Sequence, residues 1–171
     1  MQSPQSEVSV RIADLFDETD AHSVIELLDH YAEHPFGLGH RLPDDVRNAL
    51  LPGLRGTPNT LAFLARAGEV DVGLALCFVG FSSFRAKPLL NIHDLVVHQS
   101  IRGQGAGRTL LNAVIHESIR RGFCAVTLEV RRDNAIARRL YSDLGFADLH
   151  EPLPEGCQLF GKLDLSKRLG S

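Results

Sequence analysis

The stretch Asn91 to Leu111 constrains this chain more than any other. Leu89–Val97 is an apolar run with β-branched residues, so it reads as a buried strand. His98–Arg102 is a mostly polar connection. Gly103, Gly105 and Gly107 then alternate with Gln104 and Ala106, and a helical pattern follows at once. A strand that passes through a glycine-rich turn directly into a helix points to an α/β domain. Without Cβ atoms the turn lets a ligand approach the backbone closely. The first N–H groups of the helix lack partners in their own helix and carry the positive end of its dipole. With Arg102 and Arg108 alongside, this is a place for phosphate.

Spacing narrows the choice of phosphate ligand. A P-loop, G-x-x-x-x-G-K-[ST], counted from Gly103 would need glycine at Arg108, and no Lys-Ser/Thr pair follows. A dinucleotide fingerprint, G-x-G-x-x-G, meets the same Arg108, although Glu129 lies about where its ribose-binding acid would fall. What stands is Arg102-Gly103-Gln104-Gly105-Ala106-Gly107, R-x-x-G-x-G, after a strand ending Leu95-Val96-Val97. On these six residues alone, a tight turn that uses glycine only for packing stays open.

Length and composition set outer bounds. At 171 residues, with 44% apolar and 23% charged residues, the chain fits a single globular domain, 1–171, with a loose polar start over 1–7. The net charge of −3, with no basic run, argues against nucleic acid as a partner. No apolar run approaches membrane-spanning length, and MQSPQSEVSV lacks a basic-then-apolar leader, so no membrane partner is expected. Cys77, Cys124 and Cys157 are odd in number and far apart. They fit free thiols in a reducing, cytoplasmic setting and not a zinc site.

In chain order, Val8, Val10 and Ile12 alternate as a first strand. Thr19 or Asp20 caps a helix whose apolar face is Val24, Leu27, Leu28 and Tyr31. The loop His34–His40 follows. A second helix restarts around Leu42-Pro43-Asp44-Asp45 and runs to about Leu51, where Pro52-Gly53 should stop it. Thr60–Ala67 and Val70–Phe81, separated by Gly68-Glu69, form a hairpin. Ser82–Lys87 links it to the strand at Leu89. The helix after the glycines buries Leu111, Val114, Ile115 and Ile119 and ends at Arg120-Arg121-Gly122. Ala125–Val130 is a strand, Asn134 to about Leu144 a helix stopped by Gly145, and Phe146–Leu149 a short strand. Glu151–Gly156 is a proline-rich loop, and Leu159, Gly161, Leu163 and Leu165 share one side of a last strand. A helix crosses over from the central strand to Ala125–Val130, so those two strands should be parallel neighbours.

A second motif lies in Leu128 to Phe146. Asn134 and Tyr141 are seven apart, close to two helical turns, so they share a face, with Ala137 and Arg138 on or beside it. Taken alone, this suits equally a buried aromatic plus a helix cap, or a surface for an extended ligand. Together, R-x-x-G-x-G and L-E-V-x-x-x-N-x-x-A-x-x-L-Y-x-x-L-G-F, in this order and one helix and strand apart, resemble the two motifs of the GNAT N-acetyltransferase superfamily. The resemblance runs from about Val8 to Leu165. It implies the GNAT fold: a mixed, mostly antiparallel sheet with a central parallel strand pair and flanking helices.

The resemblance further implies acetyl-CoA as cosubstrate and a small-molecule or peptide amine as acceptor, which attacks the thioester directly without a covalent cysteine intermediate. The pantetheine arm would add to Leu95, Val96 and Val97 as a short extra strand. The pyrophosphate would sit on Gly103, Gln104, Gly105, Ala106, Gly107 and Arg108, with Arg102 adding charge. Asn134 would bind the pantetheine arm, Ala137 and Arg138 would border it, and Tyr141 would protonate the departing thiolate. The N–H of Val96 or Val97 would polarise the thioester carbonyl. Family members are often homodimers.

The base is less defined. Asn91, His93 and Leu95 share one face of the central strand, and Ile92, Asp94 and Val96 the other. A glutamate common in the family falls at His93, a departure that leaves His93, Asp94 or a water for the role, or a buried hydrogen-bond network for both residues. Glu26, His30 and His34 follow at helical spacing with His40 beyond, a pattern that suits a solvated face better than a metal. Phe36, His40 and Phe81–Arg85 are candidate acceptor contacts. A non-catalytic acyl-CoA-binding domain and a nucleotide-cofactor oxidoreductase are the competing functions, and the acceptor is left open among polyamine, aminoglycoside, amino acid and protein amines.

Overall fold

The computed structural model describes residues 7–147, 158–166 and 168. The element order is β1 (Val8–Ile12), α1 (Glu18–Ala32), α2 (Asp44–Arg55), β2 (Thr60–Ala67), β3 (Val70–Ser82), β4 (Lys87–Val97), a 3₁₀ turn (Gln99–Ile101), α3 (Ala106–Arg120), β5 (Ala125–Arg131), α4 (Ala135–Asp143) and β6 (Gln158–Asp164). The strands form one mixed sheet in the order β1-β2-β3-β4-β5-β6. β1 runs antiparallel to β2, from Val8↔Ala67 to Ile12↔Phe63, and β5 antiparallel to β6. The crossover through α3 makes β4 and β5 parallel, as expected, over Leu90↔Val126, Asn91↔Thr127 and Ile92↔Leu128. Among the described residues no helix is long and apolar enough to cross a membrane.

The chain divides into two compact units. One holds the described residues of Met1–Leu76 and Asp94–Val114, the other those of Cys77–His93 and Ile115–Ser171. In the first, α1 packs on α2 and β2, and its core includes Val24, Leu27, Leu28, Phe63, Leu64, Leu74, Val96, Leu110 and Val114. In the second, Leu90, Ile92, Val126, Leu128, Phe146, Leu159 and Leu163 are buried. The alternation expected at the last strand appears as Leu159, Gly161 and Leu163 inside and Gln158, Phe160 and Asp164 outside.

Two helix ends differ from expectation. α1 is capped by Asp17, not Thr19 or Asp20: its carboxylate accepts from the Thr19 and Asp20 N–H groups, each at 3.0 Å. α2 runs through Pro52 to Arg55. Pro52 lies in the last turn, where only one ladder bond is lost, and its own carbonyl accepts from Gly56 N–H at 3.0 Å. The buried Leu54 then holds that turn to the protein. Cys77 and Cys124 are buried, and neither forms a disulfide among the described residues. Cys157, the Glu151–Gly156 loop and the end of the Phe146–Leu149 strand lie outside the described residues, although Ala147 does bridge to Lys162.

Candidate functional site

In the first unit, β4 ends at Val97 and the chain turns through Gln99–Ile101 into the glycine loop. His98 N–H donates to Val72 O at 2.7 Å, fixing the exit from the strand. Gly103 and Gly105 sit at φ of +78° and +89°, and a Cβ at either would meet no atom of the described residues within 4 Å. Packing therefore does not explain these glycines; the left-handed backbone and the open face do. α3 begins at Ala106 and Thr109 N–H is the amide that closes back on Gly105 O, at 3.0 Å. By helix geometry the amides of Gly105, Ala106 and Gly107 have no acceptor in α3. Together they present a positive, open turn suited to a phosphate.

Arg102 is turned away from that purpose. Its Nε donates to Val97 O at 3.0 Å, and its Nη1 lies 3.1 Å from His34 Nε2, at the end of α1. His34 Nδ1 in turn faces the Phe36 N–H at 3.2 Å. Burial, then the Arg102 charge, holds the His34 imidazole below its ordinary pKa. One turn earlier, His30 stacks on His98 with ring centroids 4.5 Å apart, and its buried Nε2 finds no hydrogen-bond partner among the described residues. Burial, with His98 next, also lowers the His30 pKa. The His30 and His98 rings border an open cavity of about 500 Å³ that also takes in Glu26, Glu33, Glu69 and Asp71. Glu26, His30, His34 and His40 thus go to four separate partners: Arg47, His98, Arg102 and the Arg41 carbonyl.

Two carboxylates in this unit escaped the sequence pattern. Asp29 is 1% exposed and accepts from Leu42 N–H at 2.8 Å, Arg41 Nε at 2.9 Å and Arg47 Nη1 at 2.5 Å. Asp71 accepts from Arg11 at 2.7 and 2.9 Å, Ser23 Oγ at 2.8 Å and Arg66 Nε at 3.1 Å. The Arg11 hydrogen bonds, aided by Ser23 and Arg66, hold the Asp71 carboxyl far below the usual range against the effect of burial. Neither residue stands in a local motif; at most, Asp29 is marked by its place beside the apolar face of α1.

In the second unit, Asn134 is the N-cap of α4: its Oδ1 accepts from Ala137 N–H at 3.1 Å. Tyr141 is buried on that helix, its ring 5.8 Å from Phe146. Ala137 and Arg138 are half-buried, and Arg138 Nη1 donates to Arg132 O at 2.9 Å. α4 thus brings Asn134, Ala137, Arg138 and Tyr141 onto one short element, as their spacing predicts. His93 is exposed and meets Phe78 edge-on at 5.6 Å. Asn91 Nδ2 donates to Thr127 Oγ1 at 3.1 Å, tying β4 to β5 where they pair. Phe81 and Phe84, at the β3–β4 turn, are among the most exposed apolar side chains, at 67% and 102%. Asp94 falls in the first unit and is half-buried, so His93 and Asp94 stand in different surroundings, as neighbours on a strand must.

Comparison with known proteins agrees with both motifs. The profile of the "Acetyltransferase (GNAT) family" matches residues 22–146. An L-methionine sulfoximine/L-methionine sulfone acetyltransferase of Salmonella typhimurium is 27% identical over 164 residues, 93% of this chain and 91% of that protein. A [ribosomal protein bS18]-alanine N-acetyltransferase of Haemophilus ducreyi is 34% identical over 70 residues, 38% of this chain; the match spans about half, 48%, of that relative. Among solved structures, YncA of Salmonella typhimurium, a putative acetyltransferase with its cofactor acetyl-CoA, superposes with a TM-score of 0.67 at 23% identity. That superposition covers 94% of this chain and 95% of the other.

Proposed function

The chain belongs to the acetyltransferase (GNAT) family, and from that premise we propose that it moves an acetyl group from acetyl-CoA to a primary amine by direct attack on the thioester. The observation that carries this is the turn Arg102–Gly107. Its two glycines are left-handed, their open faces admit a ligand, and a helix begins directly behind them. A diphosphate binds the amides of Gly103, Gln104, Gly105, Ala106, Gly107 and Arg108, with Arg102 and Arg108 supplying charge. The pantetheine arm adds to Leu95, Val96 and Val97. In support, the β4–β5 ladder covers Leu90–Ile92 while β4 itself runs on to Val97.

Asn134 serves the pantetheine arm through its amide N–H₂, since its Oδ1 caps α4. Ala137 and Arg138 border the arm. Tyr141 protonates the departing thiolate, and the Val96 or Val97 N–H polarises the carbonyl. His93, Asp94 or a water takes the proton that the acceptor ammonium must lose before it attacks. His93 has the exposure that an exchangeable base needs.

The acceptor class we favour is an α-amine. The relatives are named for methionine sulfoximine or sulfone and for an alanine, and these amino acids carry their amino group on the carbon next to the carboxyl carbon. Acetyl-CoA turnover, read as free thiol against a panel of amino acids, peptides, polyamines and aminoglycosides, tests this. The expected result is activity on the amino-acid or peptide class that falls roughly 10- to 10⁴-fold in Tyr141→Phe. Unchanged turnover in Tyr141→Phe removes the tyrosine from the acid role. Activity confined to polyamines overturns the acceptor class.

A further inference from the structure

Strand register in the second unit sorts its side chains onto two faces. Val126, Leu128 and Val130 lie opposite Leu163, Gly161 and Leu159, and all six are buried. Leu90 and Ile92 continue that face on β4. The other face differs in character. Thr127 lies opposite Asn91 on β4 and Lys162 on β6, and Glu129 lies opposite Phe160. His93, two residues beyond Asn91, is on the same face of β4. Alternation thus brings His93, Glu129, Phe160 and Lys162 to one surface. His93 and Glu129 are exposed, Phe160 is 52% exposed and Lys162 is half-buried.

Glu129 and Lys162 sit diagonally across the β5–β6 pair, about 7–8 Å apart at the backbone, a spacing at which long side chains of opposite charge can meet. They do not meet. Among the described residues neither side chain has a hydrogen-bond or ion-pair partner. Charges farther along the same strands are matched: Arg131 pairs with Asp133 at 2.7 Å, and Asp164 accepts from Arg85 Nη1 at 2.7 Å. A carboxylate and an ammonium held apart on one face, with a phenyl ring opposite the carboxylate, fit a ligand that carries both charges and an apolar group.

We infer that this face binds the acceptor as a free α-amino acid with an apolar side chain, and that Lys162 is the residue that selects it. Glu129 receives the ammonium, in the same row of the sheet as His93. Lys162 receives the carboxylate, and Phe160 lies against the side chain. The two charges of the face cancel, as do those of a zwitterion. A polyamine or aminoglycoside brings only positive charge to Lys162. A peptide N-terminus has an amide where the carboxylate belongs and leaves Lys162 unanswered. The inference rests on the acetyl-transfer reading above and narrows its α-amine class to free amino acids.

The test measures kcat/KM for methionine, leucine and phenylalanine and for the amide of each, as thiol release from acetyl-CoA, in wild type, Lys162→Met and Lys162→Arg. Acid and amide share the amine and the side chain, so their ratio isolates the carboxylate. Taken within one preparation, that ratio does not depend on how much of a variant has folded. The expected acid-to-amide ratio is roughly 10- to 100-fold lower in Lys162→Met than in wild type, the range that one charge-assisted hydrogen bond supplies, and is recovered in Lys162→Arg. A ratio that does not move overturns the role of Lys162 and leaves acetyl transfer standing. Turnover confined to peptides, polyamines or aminoglycosides does the same to the amino-acid class. No thiol release from any amine overturns both readings.

Discussion

Asp29 gathers the connection between α1 and α2 onto one buried carboxylate. Burial by itself would raise its pKa, but the Leu42 N–H, Arg41 and Arg47 more than offset this and leave the group below its ordinary value. The folded pKa lies below the unfolded one. The stabilisation is thus present at neutral pH and fades as pH falls through the carboxylate range. Asp29→Asn should cost about 1–3 kcal/mol at neutral pH, with Arg41 discounted because it is largely exposed. Urea melts of both proteins should converge in acid. Nothing in the sequence near Asp29 announces this, since Arg41 and Arg47 are ordinary surface residues until the loop folds back. Asn134 is the opposite case: its cap is legible from its place before a helix, and the structure shows it at 3.1 Å.

Elements were legible where one rule governed them. The alternation of β6, the hairpin at Gly68-Glu69 and the crossover that makes β4 and β5 parallel each follow from a period or a handedness. They failed where several residues could do one job. Asp17, Thr19 and Asp20 are all able caps for α1. The choice falls to Asp17 because Asp20 is drawn off by Arg11 at 2.5 Å and the Asp14 N–H at 2.9 Å, and Arg11 lies on another element. Gly73 makes a comparable demand inside β3. A Cβ there would stand 2.9 Å from Leu110 Cδ1 and 3.1 Å from Val96 O, so α3 and β4 approach because this residue has no side chain. Leu110 can shift its methyl, but the backbone oxygen cannot move as easily. Gly73→Ala should therefore destabilise by about 1–3 kcal/mol, measured as a loss in thermal midpoint.

At the scale of the molecule, the element order, the β2–β3 hairpin and the parallel β4–β5 pair follow from short-range patterns. The ion-pair hubs do not, because their partners are distant in the chain. Asp71 meets Arg11 60 residues away and Ser23 48 away. Such contacts have no period and no local spacing to betray them. They also have a kinetic meaning. The Asp71 cluster is complete only when β1, α1 and the β2–β3 hairpin have all arrived, so most of its interactions belong after the folding barrier and not at it. Asp71→Asn should accordingly speed unfolding while leaving the refolding rate nearly unchanged, which the two arms of a chevron would separate. A carboxylate of this kind acts as a latch: it contributes little to the speed with which the protein reaches its fold and much to how long it stays there.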